Sequence, residues 1–325
     1  MPRKYIRDLG QQDVVDEVFV ASGKQLRPNR NGNLYLQVEL SDRTGSISTR
    51  LWNADDALYQ SFNDGDYVRV QGNTQLFQGA VQMIAKRIER VEPEEVDPAE
   101  FEPEAAVDVN RLLARMKELI RSMGDLHLRT LAECFLLDEE FLTRFTLAPA
   151  GTKHHHSYHG GLLEHTVGVM EAADRIAPNY PRLDRDLLLL GAMLHDIGKT
   201  RELGFQSGLE YTDEGQLLGH VVIAVEMLNE KVAEAERLGG EPIPKETVLK
   251  LKHMLLSHHG EYEYGSPKTP MTLEALALHC LDLLDAKLNA FDLIMQADPN
   301  SDSPWTTYQP NLGRKLYKGT SPSRE

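Results

Sequence analysis

The stretch "LLLLGAMLHDIGKTREL", residues 187–203, decides the fold of the C-terminal part of this chain. Its first eight residues are apolar or small and favour a buried helix. That helix ends on His195 and Asp196, which Gly198 and Lys199 follow. Imidazole and carboxylate groups are costly to bury unless they are hydrogen-bonded or bound to a metal. The stretch is therefore either part of a metal site or an ordinary helix end with polar surface residues.

The other histidines favour the metal site. Eleven of the 12 histidines lie within residues 154–279, a density that a helical bundle does not need for packing. A single histidine on an apolar helical face is more often a hydrogen-bonded core residue. Here, however, separate helical patterns each place His or Asp on or beside an apolar face. These patterns are "GGLLEHTVGVMEAA" with His165, "GQLLGHVVIAVEML" with His220, "LKLKHMLLSHHG" with His258 and His259, and "ALHCLDLLDAKL" with Asp282.

We predict two divalent ions in this region. One ion is bound by His165, His195, Asp196 and Asp282, and the second by Asp196, His220, His258 and His259. The sequence does not decide between His258 and His259 as the ligand. Imidazole suits Mn, Fe, Co, Ni or Zn, and an aspartate can join two ions through its two oxygens. Two such ions can activate a shared water and stabilise a leaving oxygen in phosphoryl transfer, which makes His195 and Asp196 catalytic candidates.

Length and composition predict a soluble protein of two domains, with three as the alternative. The chain has 325 residues, of which 41% are hydrophobic and 26% charged. No apolar run approaches the roughly 20 residues that span a bilayer, and the N-terminus has no apolar leader segment. Cys134 and Cys280 are far apart in sequence and form no CxxC pair, which favours a reducing, cytoplasmic location. The oligomeric state stays open, and a homo-oligomer is one of the possibilities.

The N-terminal region, residues 1–91, is predicted to be a β-barrel of the OB-fold type. Five segments are rich in β-branched and aromatic residues, and Gly, Asn and Asp turns separate them. A short helical pattern lies between the third and fourth segments, which is the element order of an OB-fold. Residues 92–108 contain three prolines and many acids, so we expect an exposed linker. Residues 109–298 are predicted to be an all-α bundle, and residues 299–325 an extended polar tail on the surface.

The motifs of the helical region are similar to those of the HD-domain metal-dependent phosphohydrolases. The matching positions are His165, His195, Asp196 and Asp282, and "HDIGK" at a helix end is the most specific part of the match. With the N-terminal barrel and "HHSYHGGLLEHT", "LLGHVVIAVEML" and "LLSHHGEYEYGSPKTP", nearly the whole chain resembles the YhaM family of 3′→5′ exoribonucleases. The resemblance implies Mn²⁺-dependent trimming of single-stranded RNA, or of single-stranded DNA, to nucleoside 5′-monophosphates. Mg²⁺, Co²⁺, Fe²⁺ and Ni²⁺ are alternative metals.

The sequence differs at two places from the HD-domain relatives that cleave cyclic dinucleotides. Gly161 stands four residues before His165, where the relatives that cleave cyclic dinucleotides have a glutamate, so a third metal ion is not expected. The residues after the double histidine also lack the Gly-Tyr-Pro signature of those relatives.

Several further residues are predicted to bind substrate. Lys199 is the third catalytic candidate and is assigned to a phosphate oxygen where charge develops, although a lysine at a helix end can simply interact with the helix dipole. His155 and His156 match the family's histidine pair and are assigned to phosphate or ribose, with a solvated loop as the alternative. Tyr262 and Tyr264 are candidates to stack on a base, with core packing or surface exposure as the alternative. In the barrel the candidates to stack on bases are Phe19, Tyr35, Trp52 and Phe77. About half of these aromatic residues should belong to the barrel core. The candidates to contact phosphate include Arg50.

The chain is acidic overall, and its charge is unevenly distributed between the two predicted domains. The formal net charge is −15, which argues against nucleic-acid binding through a broadly basic surface. The first 90 residues hold 12 Lys and Arg against 11 Asp and Glu, so the acidic excess lies in the helical part. Two other functions stay open from the residues alone: a phosphohydrolase of free nucleotides, and a catalytically inactive nucleic-acid-binding protein.

Overall fold

The computed structural model describes residues 3–29, 32–77, 80–101, 107–151, 158–204, 210–296, 298, 300 and 303–319. These residues form two compact units. The first contains residues up to 101, residue 210 and the residues from 294 onward, and the second contains residues 107–204 and 211–293. Among the described helices, none combines the length and the hydropathy that crossing a bilayer requires.

The first unit contains a closed five-stranded barrel, as predicted. Its elements are Val14–Pro28 (β1), Leu34–Asp42 (β2), Gly45–Trp52 (β3), Asp56–Gln60 (α1), Tyr67–Phe77 (β4) and Ala80–Val91 (β5). The strand order is β1-β2-β3-β5-β4, and β1 pairs with β4 to close the barrel. All the pairs are antiparallel except β3 with β5. Helix α1 lies between β3 and β4, so the predicted OB-type element order is confirmed.

The barrel core consists of the side chains at every second position of the strands. Successive residues of β2 alternate between buried and partly exposed, because side chains of a strand point to opposite faces. Phe19, Leu36, Leu40 and Val70 are completely buried inside the barrel. Phe19, a stacking candidate, is therefore a core residue, and that prediction was wrong because its position in β1 faces inward.

Two segments are more ordered than the sequence suggested. Phe101, within the predicted exposed linker, packs its ring 4.8 Å from that of Tyr67, and the Tyr5 hydroxyl donates to Glu100. The aromatic side chain thus ties the acidic segment to the barrel. In the predicted tail, Trp305 pairs with Tyr317 across an antiparallel bridge. This part of the tail folds back on itself instead of lying extended.

The second unit is all-α apart from very short strands. Its helices are Val109–Arg121 (α2), Leu126–Leu136 (α3), Glu139–Leu147 (α4), Gly161–Ile176 (α5), Arg185–Leu194 (α6), Lys199–Glu202 (α7), Asp213–Gly239 (α8) and Lys245–Ser257 (α9). Leu273–Gln296 (α10) begins in this unit, and Leu203–Gly204 (β6) and Glu210–Tyr211 (β7) are two-residue strands. The predicted helical bundle is confirmed.

Side-chain caps and one central helix explain how this unit forms. Asp108, Asp125, Asp138 and Asp184 each accept a hydrogen bond from a backbone N–H in the first turn of the helix that follows. Every residue from Leu187 to Leu194 in α6 is buried, so this helix is the centre of the bundle. Its C-terminal end therefore places His195 in the interior.

Candidate metal centre

The structure brings all seven predicted metal ligands to one place. They come from separate elements, because His165 lies on α5, His195 ends α6 and His220 lies on α8. The others are His258 and His259 at the end of α9, Asp282 on α10, and Asp196 directly after α6. His165, His195, Asp196 and His258 are buried. The side chains form two groups that share Asp196.

The first group consists of His165, His195 and Asp282, whose ligand atoms all lie within 4.8 Å of one another. The Nε2 atoms of His165 and His195 are 3.1 Å apart. Oδ1 of Asp282 is 3.3 Å from Nε2 of His165 and 3.9 Å from Nε2 of His195. Three potential ligand atoms thus converge from three helices.

The second group consists of His220, His258 and His259. The Nε2 atoms of His220 and His259 are 3.3 Å apart. The rings of His258 and His259 have centroids 4.3 Å apart, so both members of the pair face this group. The structure therefore supports both histidines as ligand candidates instead of selecting one.

Asp196 joins the two groups through its two oxygens. Oδ2 is 3.4 Å from Nε2 of His195 and 3.7 Å from Nε2 of His165. Oδ1 is 3.6 Å from Nε2 of both His220 and His258. This is the arrangement expected of a carboxylate that bridges two cations.

Hydrogen bonds at Nδ1 orient four of the five imidazoles. Nδ1 of His195 donates to the carbonyl of Ala192, and Nδ1 of His258 donates to the carbonyl of Leu255, each at 2.8 Å. In neutral rings these bonds leave Nε2 unprotonated and directed to the centre. His165 and His220 are held by carboxylates instead, Asp285 and Glu202 respectively.

Three supporting residues were not among the predicted site residues. Asp285 lies 2.7 Å from Nδ1 of His165, and Glu202 lies 3.1 Å from Nδ1 of His220. Nδ1 of His279 donates to the carbonyl of His258 at 2.8 Å. The spacing of Asp282 and Asp285 offered a signal, because residues three apart share a helical face. The role of Glu202 had no such signal, since its partner lies 18 residues away.

The pKa of His165 in the first group and those of His258 and His259 in the second are shifted in opposite directions. Burial and the neighbouring imidazoles lower the pKa of His259 to about 4, and burial also lowers the pKa of His258. Burial opposes protonation of His165, but its bonds to Asp282 and Asp285 raise its pKa to about 9. Asp196 is buried, yet Lys199 and the histidines hold its pKa well below the ordinary value. Burial thus favours the neutral form of both His258 and His259, the form that can offer a lone pair to a cation.

Buried nitrogen atoms without a hydrogen-bond partner indicate whether this site can accept a cation. Among the described residues, Nε2 of His258 and Nδ1 of His259 are buried without a hydrogen-bond partner. An unpartnered buried acceptor is costly unless something else binds it. Imidazole nitrogens that converge with carboxylates suit a divalent transition ion. The unpartnered Nε2 of His258 therefore supports a cation in the second group, and the converging ligand atoms of the first group suit the same kind of ion.

A cavity of about 380 Å³ lies beside these groups. Asp196, His220, His258, His259 and Asp282 contribute to its wall, together with Lys199, Tyr211 and Tyr264. Lys199 donates to Oδ2 of Asp196 at 2.6 Å, and its side chain is only 14% exposed. This environment argues against a solvated lysine at a helix end. A volume of this size is within the range of small-molecule sites.

The other substrate-binding candidates fall into three cases. Tyr262 is 64% exposed and is not among the described cavity-lining residues, whereas its neighbour Tyr264 is. His155 and His156 lie outside the described residues. The barrel candidates lie close together: the rings of Tyr35 and Trp52 are 5.1 Å apart, and the Arg50 guanidinium is 5.8 Å from the Tyr35 ring and 5.2 Å from the Phe77 ring. We call Tyr35, Arg50, Trp52 and Phe77 the barrel patch.

Comparison with known proteins agrees with this architecture. Residues 162–287 match the HD domain family model, and residues 18–91 match that of the OB-fold nucleic acid binding domain. The chain is 35% identical to the 3′-5′ exoribonuclease YhaM of Bacillus subtilis strain 168, over 90% of each protein. It is 36% identical to the protein of the same name from Bacillus licheniformis, again over 90% of each. The Listeria innocua YhaM is 34% identical over 82% of this chain and 83% of its own.

These matches span both units, and the HD match contains all seven candidate ligands. Identities of 34–36% over 82–90% of this chain are enough to assign the family. The chain belongs to the YhaM family of 3′-5′ exoribonucleases.

Proposed function

We propose that this protein is a divalent-metal-dependent exonuclease that shortens single-stranded RNA from its 3′ end and releases nucleoside 5′-monophosphates. The observation that carries the proposal is the pair of converging ligand groups joined by Asp196 at the wall of a cavity. The family assignment supports the direction of degradation and the substrate. Mn²⁺ is the proposed metal, and a cytoplasmic location fits the two free cysteines.

The residues divide into metal ligands and substrate contacts. His165, His195 and Asp282 would hold one ion and His220, His258 and His259 a second, with Asp196 contacting both. Bound there, the ions would supply a water of lowered pKa and neutralise charge on the reacting phosphodiester. Lys199 remains protonated, because the attraction of Asp196 outweighs the effect of burial and raises its pKa. Its ammonium can donate to a phosphate oxygen as negative charge develops there.

The barrel patch is the proposed contact for the upstream part of the strand. Trp52 and Phe77 are 43% and 42% exposed, although both are large aromatic residues. Bases of any sequence can stack on such rings, and a nearby guanidinium adds attraction to phosphate. A sequence-tolerant contact of this kind suits an enzyme that removes one nucleotide after another.

The deciding experiment uses 5′-labelled single-stranded RNA with Mn²⁺. We expect a ladder of products that shortens from the 3′ end, together with nucleoside 5′-monophosphates, and no ladder after chelation. Intact RNA with hydrolysis of free nucleotides would instead identify a nucleotide phosphohydrolase. Bound but intact RNA, with no hydrolysis of nucleotides, would identify an inactive binding protein. The same assay with DNA of equal sequence, and with Mg²⁺, Co²⁺, Fe²⁺ or Ni²⁺, defines the substrate and metal preference.

The metal centre is tested by the double variant His195→Ala, Asp196→Ala. We expect loss of nuclease activity and of bound Mn²⁺, measured by elemental analysis, because one change removes a ligand and the other removes the bridge. His127→Ala is the control, since His127 is the one histidine of the sequence outside residues 154–279. Nuclease activity retained in the double variant would disprove the proposed centre.

A further inference from the structure

Glu202 holds His220 through two hydrogen bonds to a single oxygen. Oε1 of Glu202 accepts from the backbone N–H of His220 at 3.0 Å and lies 3.1 Å from its Nδ1. Glu202 is 8% exposed, so water competes little for these bonds. The carboxylate fixes both the position of the His220 backbone and the rotation of its ring.

The backbone around this pair is shaped for the contact. Gly219 interrupts α8 with φ +74°, a conformation that favours glycine and leaves the N–H of His220 free to face Glu202. The His220 carbonyl crosses so close to Gly198 that a Cβ there would lie 2.0 Å from its oxygen. The Glu202 carbonyl in turn accepts from the backbone N–H of Thr212 at 3.0 Å. These backbone contacts hold the segments of Gly198, Glu202 and His220 close together, which supports the bond between Glu202 and His220.

We propose that Glu202 is a positioning residue that builds the second metal position, the group formed by His220, His258 and His259. This inference rests on the proposed metal-dependent function. Glu202 accepts the Nδ1 proton, which leaves Nε2 of His220 unprotonated and directed at its partners, 3.3 Å from Nε2 of His259 and 3.6 Å from Oδ1 of Asp196. Without Glu202 the ring can rotate and carry the proton on either nitrogen. The first group has its own support in Asp285 and does not depend on Glu202.

The test is Mn²⁺ binding to the full chain, measured by equilibrium titration and by electron paramagnetic resonance. The wild type should bind two ions with the broadened signal of a coupled pair. Glu202→Ala should bind the second ion about 10- to 100-fold more weakly, as is typical when a carboxylate that supports a metal-bound histidine is lost. At one ion per chain it should show the sharp six-line signal of isolated Mn²⁺. Glu202→Gln keeps an oxygen acceptor and should recover most of the affinity.

Glu214→Ala is the matched control, because Glu214 pairs with Arg201 beside the site and contacts none of the candidate ligands. To separate positioning from a general loss of folding, the Glu202→Ala change is repeated in a His220→Ala background. We expect no further loss of Mn²⁺ affinity there, since Glu202 acts through His220. Two ions bound equally by wild type and by Glu202→Ala would overturn this inference alone. A wild type that binds no Mn²⁺ would overturn the proposed function together with it.

Discussion

Lys199 contacts Asp196 at the wall of the cavity and is buried enough to make that contact strong. Replacing it with Met removes the charge while keeping most of the side-chain volume. We expect kcat on single-stranded RNA to fall about 100- to 1,000-fold, the usual cost of losing one donor to the developing charge. Mn²⁺ stoichiometry should stay at the wild-type value, because Lys199 contributes no ligand. Steady-state kinetics and elemental analysis on the same preparation check both parts.

Arg201→Ala serves as the control for this variant, since Arg201 lies two residues after Lys199 on α7 and pairs with Glu214 of α8. Its kcat should match that of the wild type. If Lys199→Met retains full activity, Lys199 only neutralises Asp196, and its assignment to phosphate is incorrect.

Residue types and helical spacing were enough to predict the ligand candidates. His165, His220 and Asp282 each stood on an apolar face, and polar groups there require partners. Glu202 was not predictable in this way, because it ends the four-residue helix α7 and its contact with His220 depends on the kink at Gly219. A contact made by one oxygen to a backbone N–H and a ring nitrogen leaves no periodic pattern in the sequence.

At the scale of elements, Asp138 links α4 to α8. Its side chain accepts from the backbone N–H of Phe141 at the start of α4, and Lys231 of α8 donates to it at 2.9 Å. These bonds lower the pKa of Asp138 below the ordinary value of 3.8. Asp138→Ala should therefore reduce the free energy of unfolding at pH 7 by about 1 kcal/mol, a typical cost of a lost helix cap.

The pH dependence of this difference follows from the direction of the pKa shift. A carboxyl group with a lowered pKa in the folded state stabilises it above the unfolded pKa, and the contribution disappears as pH falls through the folded pKa. The gap between wild type and Asp138→Ala should be full at pH 7 and shrink once the pH falls toward 3.8 and below. Urea unfolding across this range measures it. A gap that is constant with pH would show that the carboxylate charge contributes nothing.

The elements themselves were largely predictable, and the exceptions have physical causes. The five strands and the helix between β3 and β4 followed from alternation and turn residues, and the structure has them in that order. The acidic segment after β5 looked like a linker by composition, but Phe101 buries its ring against Tyr67. One aromatic side chain can decide the placement of such a segment, and composition averaged over 17 residues, 92–108, does not register it.

At the scale of the whole molecule, the barrel patch and the metal centre should contribute separately to turnover. Trp52 is exposed and packs against Tyr35, so its ring is available to stack on a base. Losing one stacked base costs about 1–3 kcal/mol, a change of about 5- to 150-fold in an equilibrium constant. Trp52→Ala should raise KM for a long single-stranded RNA by an amount in this range. Its kcat on a dinucleotide should be unchanged, because a dinucleotide has no upstream part for the barrel to hold.

Tyr180→Ala is the matched control, since Tyr180 is an aromatic residue of the helical unit that is 58% exposed. Arg50→Ala should also raise KM for long RNA and reduce its dependence on salt, because each phosphate contact adds to the salt dependence of binding. These comparisons separate holding the strand from cutting it. If Trp52→Ala slows the dinucleotide and the long RNA equally, the barrel does not act by holding the strand. The single-stranded specificity would then have to arise within the helical unit, at the cavity that Tyr211 and Tyr264 help to line.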